Sequence, residues 1–209
     1  MYLLPMINRE GLRLRLQGAP DRRTFAPNRE GRDGSLDRPA LRSPGLSAAV
    51  LIGIVGYSEG PRIILTVRTT HLREHAGEIS LPGGRIEASD ASPEEAALRE
   101  AREEINIDPS RVDLLGRLHP YDTVTGFHVH PVVGWIEPPV TYSLDPFEVA
   151  EVFELPLAFV LDSGNRQEGH IEAGGRTTRF YVLQYKDRRI WGATAGILVN
   201  FARVLDRCA

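Results

Sequence analysis

Three glutamates, Glu100, Glu103 and Glu104, stand within the eight residues REAREEIN (99–106). If this stretch is helical, they occupy positions i, i+3 and i+4, which are neighbours on one surface. Like charges at these offsets destabilise an isolated helix by about 0.2–0.5 kcal/mol per pair. A divalent cation would turn that repulsion into attraction, and carboxylate oxygens are donors that Mg²⁺ and Mn²⁺ prefer. The spacing therefore favours a metal site, and such a metal could screen and polarise phosphate groups.

The three glutamates can also be explained as a solvated helix face without a metal. Charged helix faces are usually solvated, and Arg99 and Arg102 would ease the repulsion between the glutamates. Two features favour the metal: the acids fall within little more than one helical turn, and the helix follows the double-glycine segment LPGGR (81–85). A tight glycine turn can bring ligand phosphates close to backbone N–H groups.

The segment SPEEAALREAREEI (92–105) carries the signals of a helix start. Ser92 is a good N-cap, Pro93 suits the first helical position, and Glu95 completes a capping box. The alanines and Leu98 that follow favour helix. The sequence therefore predicts that a helix presents the glutamates.

Apolar periodicity places the remaining elements. Strands are predicted at 48–55, 62–67, 112–119, 127–136 and 176–185, the first two as a hairpin. Further helices are predicted at 155–163 and 190–207, and the strict alternation of LRLRL (12–16) predicts a short strand or extended segment. Strands mixed with about three helices predict a single α+β domain built as a sandwich.

The composition of the 209-residue chain argues against several classes of protein. With 42% apolar residues it can form one sizeable domain, and a net charge of −3 is not typical of nucleic-acid or membrane-surface proteins. No apolar run approaches 18 residues, and the start lacks the pattern of a secretory signal. Cys208 is the single cysteine, so no internal disulfide forms, and we expect a cytoplasmic protein.

The N-terminal part differs in composition from the rest. Residues 1–45 hold nine arginines against five acids, with several prolines and glycines. We therefore expect residues 1–46 to be an Arg/Pro/Gly-rich, partly mobile extension and 47–209 to be the folded domain. RNA binding through the arginines is a less favoured alternative.

The segment GGRIEASDASPEEAALREAREEINI (83–107) resembles the Nudix box of the Nudix hydrolases. Six positions match that pattern: Gly84, Arg99, Glu100, Glu103, Glu104 and Ile107. The resemblance implies the Nudix fold, an α/β/α sandwich with a mixed β-sheet between helices.

Three departures from the Nudix pattern are present. Asp90 falls at the early Glu position, and eight residues rather than seven separate it from Arg99, so the loop is one residue longer. Asn106 stands where Gly is usual and Ala101 where a larger apolar residue is common. Because Asn tolerates a left-handed helix terminus, that replacement is physically mild.

A second motif makes the resemblance more specific. ILTVRTTHLREHAGEISLPGG (64–84) resembles the segment that precedes the Nudix box in coenzyme A pyrophosphatases. The matching residues are Leu65, Thr66, Arg68, Arg73, Gly77, Pro82, Gly83 and Gly84. DTVTGFHVHPVVG (122–134) and WGATAGIL (191–198) also look like that subfamily, so the resemblance covers roughly 48–206.

This resemblance implies hydrolysis of the pyrophosphate bond of coenzyme A or a derivative, giving 3′,5′-ADP and 4′-phosphopantetheine. Mg²⁺ or Mn²⁺ would be the cofactor, bound by Glu100 and Glu104, with Glu103 either a ligand or the base for water. Arg99 would pair with a neighbouring carboxylate and hold it in place. Asp90 and Glu148 are possible additional carboxylates.

The resemblance also points to substrate-binding residues, namely Arg68, Arg73, Gly83 and Gly84. The arginines would grip phosphate oxygens, although an ion pair of either one with Glu74 or Glu78 explains them equally well. The partner would be a small molecule rather than nucleic acid or a membrane, and a homodimer stays open. Hydrolysis of ADP-ribose or NADH, or nucleotide binding without catalysis, are the alternative functions.

Overall fold

The computed structural model describes residues 7–17, 29–30, 46–72, 75–173 and 176–206. The strands are β1 (Arg29–Glu30), β2 (Leu46–Val55), β3 (Arg62–Arg68), β4 (Ile79–Ser80), β5 (Gly83–Arg85), β6 (Val112–Arg117), β7 (Tyr121–Asp122), β8 (Phe127–Ile136), β9 (Val149–Pro156), β10 (Arg166–Ala173), β11 (Arg176–Tyr185) and β12 (Arg188–Trp191). The helices are α1 (Arg9–Gln17), α2 (Pro93–Ile105), α3 (Leu157–Leu161) and α4 (Gly192–Asp206), with short 3₁₀ turns at Pro109–Arg111 and Ser163–Asn165.

A mixed sheet forms the centre of the described structure. Its main path runs β4-β3-β2-β8-β6, while β5 pairs with β2, β7 with β8 and β9 with β3. The central strands β2 and β8 are parallel, from Leu46 opposite Phe127 to Val55 opposite Ile136, and the other pairings are antiparallel. The strands and hairpin predicted from apolar periodicity are present as β2, β3, β6, β8 and β11.

The two faces of this sheet bury different sets of side chains, because successive residues of a strand point to opposite faces. On β2, Leu51 and Val55 join the core under α2, whereas Ile52 and Ile54 join the core that includes α3 and α4. Helices thus cover both faces, which confirms the predicted α/β/α sandwich.

A smaller antiparallel sheet adjoins this sandwich. It has the order β1-β11-β10, with β12 paired to the other part of β11. The predicted C-terminal helix is confirmed as α4, which buries Leu198, Phe201 and Leu205 completely. The chain thus passes directly from β12 into a helix of the main core.

The strand predicted at 12–16 is wrong, because these residues lie in α1. Leu12 and Leu16, four residues apart, are buried in the core, while Leu14 is 61% exposed. Two leucines at i and i+4 share one helical face, so the alternating pattern satisfies a helix as well as a strand. The Arg13 guanidinium adds a 2.7 Å ion pair to Asp113 of β6.

The boundary predicted between residues 46 and 47 stays a prediction. Residues 9–17 pack on the domain, whereas 18–28 and 31–45, which hold most of the Arg/Pro/Gly-rich segment, lie outside the described residues. Cys208 also lies outside them. Among the helices that are described, none is long and apolar enough to cross a membrane.

Pairing with β3 forms a strand that sequence analysis did not predict. Glu151 lies in this strand, β9, and forms a 2.7 Å ion pair with Arg188. The free edge of β3 offers hydrogen bonds that a local sequence pattern cannot reveal. The predicted helix follows β9 directly as α3.

Candidate active site

Helix α2 has well-formed ends, which fix the position of its acidic residues. Ser92 is the N-cap and its hydroxyl accepts a 3.2 Å hydrogen bond from the Glu95 N–H. The Glu95 carboxylate in turn accepts a 2.7 Å bond from the Ala91 N–H, one residue earlier than in the standard capping box. At the other end Asn106 adopts the left-handed conformation (φ 59°, ψ 37°), as its Gly-like role predicted.

The double glycine lets strand β5 and helix α2 approach closely. A Cβ on Gly83 would lie 2.3 Å from the Ala49 carbonyl oxygen, and a Cβ on Gly84 would lie 2.5 Å from the Glu100 carboxyl carbon. Real Cβ atoms essentially never approach so closely. Glycine at both positions therefore allows the Glu100 carboxylate to rest against the backbone of β5.

Glu104 is a buried carboxylate with little compensation. Glu104 is only 3% exposed, and its Oε2 accepts one 3.2 Å hydrogen bond from the Gly83 N–H. The pKa of Glu104 is raised to about 8, chiefly by burial and also by the charges of Glu100 and Glu148, while the Gly83 hydrogen bond and the charge of Arg68 oppose the shift. A buried ionised acid is unfavourable unless its charge is balanced, so this position favours binding of a proton or a metal.

Glu100 lies beside Glu104 but is less buried. Burial raises the pKa of Glu100, the hydrogen bond and charge of Arg99 lower it, and the charges of Glu103 and Glu148 raise it again. The net shift is upward. Glu100 and Glu104 are thus two adjacent carboxylates whose combined charge is incompletely balanced by the protein.

Arg99 connects the helix to the preceding loop. Its Nε and Nη2 donate 3.0 Å hydrogen bonds to the two carboxylate oxygens of Asp90, and its Nη1 donates to Glu100 at 3.0 Å. The Asp90 side chain is 3% exposed and also accepts from the Glu87 N–H at 2.8 Å. These bonds lower the pKa of Asp90, the Arg99 contact being the largest cause. The predicted pairing of Arg99 with neighbouring acids is therefore present, and Asp90 engages the arginine with both oxygens.

Glu103 is more exposed than the other two glutamates and shares the Arg99 Nη1 donor with Glu100. Its side chain is 58% exposed and its Oε2 accepts a 3.0 Å bond from Arg99 Nη1. The structure therefore brings Glu100 and Glu104 together and leaves Glu103 at the solvent edge of the same helix.

A further acid reaches this site from a distant part of the chain. Glu148 lies in an exposed turn immediately before β9, and its charge raises the pKa of both Glu100 and Glu104. The turn is held in place by the Thr69 N–H, which donates a 3.0 Å bond to the Glu148 carbonyl. Sequence spacing gave no direct evidence of this proximity.

Of the two arginines predicted to bind phosphate, one is described. Arg68 lies near Glu104, whose pKa its charge lowers, and its Nε is buried without a hydrogen-bond partner. Its backbone N–H donates to the Glu78 carbonyl, while the Glu78 carboxylate contacts His75 at 2.9 Å. Arg73 and Glu74 lie outside the described residues.

The chemistry of these donors fits a hard divalent cation. Across the described part of the chain, no three His, Cys, Asp or Glu side chains are arranged to hold a metal as they stand. Mg²⁺, however, needs only one or two protein carboxylates when substrate phosphates and water complete its shell. Glu100 and Glu104, whose pKa values are raised chiefly by burial, provide such a pair.

Beside the acid cluster is a largely apolar cavity of about 340 Å³. It begins at Arg68 and Gly83 and extends to the C-terminal elements β11, β12 and α4. Phe180, Trp191 and Thr194 lie on that far wall. Sequence patterns did not single out Phe180, whereas Trp191 and Thr194 belong to WGATAGIL (191–198), a segment that resembles the coenzyme A subfamily.

Comparisons with known proteins identify the family of this chain. A model of the NUDIX domain matches residues 48–166, which include both the glycine turn and α2. The chain therefore belongs to the Nudix family, and it is a Nudix hydrolase of a nucleoside diphosphate derivative. Members of the family generally use a divalent metal such as Mg²⁺ or Mn²⁺.

A similar protein is NudL of Escherichia coli K12, described as an uncharacterized Nudix hydrolase. It is 46% identical over 168 residues, which are 79% of this chain and 87% of NudL. Among solved structures, the chain is similar to the MutT protein of Methanosarcina mazei Go1, with a TM-score of 0.49, 21% identity, and coverage of 80% of this chain and 97% of that one. The Nudix hydrolase RenU of M. smegmatis gives a TM-score of 0.47 and 20% identity, with coverage of 56% and 74%.

Proposed function

We propose that this protein hydrolyses the pyrophosphate bond of coenzyme A or a derivative, giving 3′,5′-ADP and 4′-phosphopantetheine or its acyl form. The observation that carries the proposal is the position of Arg68. This residue belongs to the 64–84 segment that resembles coenzyme A pyrophosphatases, and it stands between the acid cluster and the cavity.

The contacts of Arg68 support a substrate role over a structural one. Within the described residues its side chain has no ion pair, since Glu78 contacts His75 instead. A buried guanidinium Nε without a partner is unfavourable unless a ligand satisfies it. Phosphate oxygens are well suited, because they accept the hydrogen bonds and balance the charge.

Hydrolysis consumes one water molecule. The water oxygen forms a bond to one phosphorus as the bridging P–O bond breaks, the other phosphate leaves with the bridging oxygen, and a proton is released. When bound, Mg²⁺ or Mn²⁺ supplies charge neutralisation at the phosphates and lowers the pKa of water. Glu100 and Glu104 would hold the ion, with Glu148 near enough for its charge to act on both.

The remaining residues orient these groups. Arg99, fixed by both oxygens of Asp90, holds the Glu100 carboxylate by a 3.0 Å bond. Gly83 and Gly84 leave room for that carboxylate and for the phosphates. Glu103, exposed at the edge of the cluster, is the candidate base for water or an additional ligand.

Product analysis tests the proposal directly. The full chain is incubated with coenzyme A and Mg²⁺ or Mn²⁺, and we expect 3′,5′-ADP and 4′-phosphopantetheine in equal amounts. ADP-ribose and NADH are assayed in parallel. A much higher kcat/KM for either of these would refute the substrate assignment.

The Glu100→Gln variant separates catalysis from nucleotide binding alone. It keeps the shape of the side chain but removes its charge, so turnover should fall by several orders of magnitude. If the variant and the wild type formed product at equal rates, the assigned site would be wrong.

A further inference from the structure

The cavity beside the acid cluster is closed by a part of the chain beyond the matched NUDIX domain, which ends at residue 166. Its C-terminal wall consists of residues from β11, β12 and the start of α4. Phe180 and Trp191 face each other across this wall, with ring centroids 5.8 Å apart at an angle of 68°. The cavity wall is therefore formed both by the matched NUDIX domain and by the C-terminal unit, which consists of β11, β12 and α4.

Two contacts fix this unit against the core. The Thr194 hydroxyl donates a 3.0 Å hydrogen bond to the Ile79 carbonyl of β4. A Cβ on Gly196 would lie 2.4 Å from the Tyr121 hydroxyl, so α4 rests closely on β7. The cavity wall is thus anchored in the folded domain on both sides.

Most polar side chains of the cavity are already hydrogen-bonded within the protein. The Thr123 hydroxyl accepts from the Phe127 N–H at 2.9 Å and also contacts the Thr125 hydroxyl. The Ser80 hydroxyl contacts Thr66, and His75 contacts Glu78. These side chains offer little to the polar edge of a nucleobase, which needs partners of its own when buried.

The charged residues of the cavity also indicate which half of coenzyme A it can bind. Of the described residues that line the cavity, Arg68 is the one with a permanent positive charge, and it lies at the acid-cluster end with Gly83. The nucleotide half of coenzyme A carries a 3′-phosphate, whose burial against the apolar walls would cost its hydration. The guanidinium groups next to Phe127 and Trp191, those of Arg85 and Arg189, do not line the cavity and so do not balance a charge inside it. The pantetheine arm is uncharged, and its methyl and methylene groups suit these walls.

We infer that the cavity binds the pantetheine arm and that Phe180 and Trp191 determine the specificity for it. This inference rests on the proposed function. Gly83 links the two regions: its N–H contacts Glu104, and the same residue lines the cavity. With the pyrophosphate at Gly83 and Arg68, the arm enters the cavity and the adenosine half stays outside.

The two products serve as separate probes of the two halves. Isothermal titration calorimetry with Mg²⁺ measures the Kd of 4′-phosphopantetheine and of 3′,5′-ADP for the full chain and for Trp191→Ala. We expect the substitution to raise the Kd of 4′-phosphopantetheine about tenfold or more, since loss of an aromatic contact at the centre of a binding site commonly costs more than about 1.4 kcal/mol of binding free energy. The Kd of 3′,5′-ADP should change less than about twofold.

Two more variants complete the design. Phe180→Leu is a milder change on the same wall, and it keeps the test valid if Trp191→Ala fails to fold. Tyr185→Ala is the matched control, because Tyr185 is another half-buried aromatic of β11 but packs edge-on to Phe159, at 5.0 Å, outside the cavity. Thermal melting establishes that each variant is folded, and Tyr185→Ala should leave both Kd values unchanged.

The outcomes distinguish this inference from the proposed function. In the first case, wild type turns over coenzyme A, but the wall variants weaken the binding of both products equally, of 3′,5′-ADP alone, or of neither. The cavity assignment is then wrong and the proposed function stands. If wild type fails to turn over coenzyme A yet binds 4′-phosphopantetheine in a Trp191-dependent way, the function is wrong and the cavity assignment stands. Absence of both turnover and 4′-phosphopantetheine binding overturns both.

Discussion

The main-chain N–H of Gly83 donates a 3.2 Å hydrogen bond to Oε2 of the buried Glu104 carboxylate. This contact joins β5 to the most deeply buried glutamate of α2. Gly84, the next residue, packs against the Glu100 carboxylate. The geometry of the acids therefore depends on two positions that cannot carry a side chain.

Replacing Gly84 by alanine should disrupt the site without a change in charge. The new Cβ would lie 2.5 Å from the Glu100 carboxyl carbon, so the carboxylate must move. We expect metal affinity and kcat to fall about 10- to 100-fold, as when groups that orient metal ligands are lost. Calorimetry with Mn²⁺ and steady-state kinetics measure both. Gly11→Ala is the control, because its Cβ meets only the Asn8 side chain at 3.2 Å, and both quantities should stay at wild-type values.

Glu104 should make the metal-free protein less stable as the pH rises. Its pKa is about 8 in the folded state, against an ordinary value of 4.5, so between these pH values the folded protein holds a proton that the unfolded chain has released. The free energy of unfolding therefore falls with increasing pH across this window. Urea denaturation in EDTA at pH 5.5 and 8.5 should show this slope in wild type and a smaller one in Glu104→Gln. Glu103→Gln, whose side chain is 58% exposed, should retain the wild-type slope.

Metal binding should release protons at neutral pH. A cation bound by Glu104 must displace the proton that its pKa of about 8 retains. We expect release of close to one proton per metal at pH 6.5 and much less at pH 9.5, with affinity rising between them. Calorimetry in buffers of different ionisation enthalpy counts the protons. Equal release at both pH values would contradict binding at Glu104.

Asp90 should act through Arg99 rather than on the substrate. Asp90→Asn weakens its two 3.0 Å bonds to Arg99 and so loosens the hold of that arginine on Glu100. We expect kcat to fall about 10- to 100-fold with little change in KM. The control is Asp113→Asn, which breaks a 2.7 Å ion pair with Arg13 far from the site and should leave kcat within about twofold, given the small worth of exposed pairs. A large rise in KM for Asp90→Asn would instead indicate a substrate contact.

Arg68 should contribute to substrate binding through bidentate hydrogen bonds. Arg68→Lys keeps the charge but loses the planar fork, so kcat/KM for coenzyme A should fall about tenfold or more. The effect of Arg68→Gln should be greater because it also removes the charge. Steady-state kinetics with thermal melting as a folding check measure the loss, and wild-type kinetics in both variants would exclude phosphate binding by this residue.

The sequence predicted the parts of the fold whose signals are local. Ser92, Pro93 and Glu95 marked the start of α2, and alternation marked β11, because caps and periodicity depend on near neighbours. It failed where distant partners decided the outcome. Leu12 and Leu16 became one face of a helix packed on the core, and Glu151 joined a strand on the edge of β3.

The sequence by itself also determined the chemistry of the site: three acids within one helical turn, a glycine pair before them, and an arginine beside them. Only the tertiary structure decided which acids act together. Burial and the approach of β5 bring Glu100 and Glu104 together, the turn before β9 brings Glu148 near, and Glu103 stays exposed while it shares Arg99 with Glu100. The tertiary structure likewise decided that Phe180 and Trp191 line one cavity, because long-range packing sets which side chains meet while sequence spacing does not.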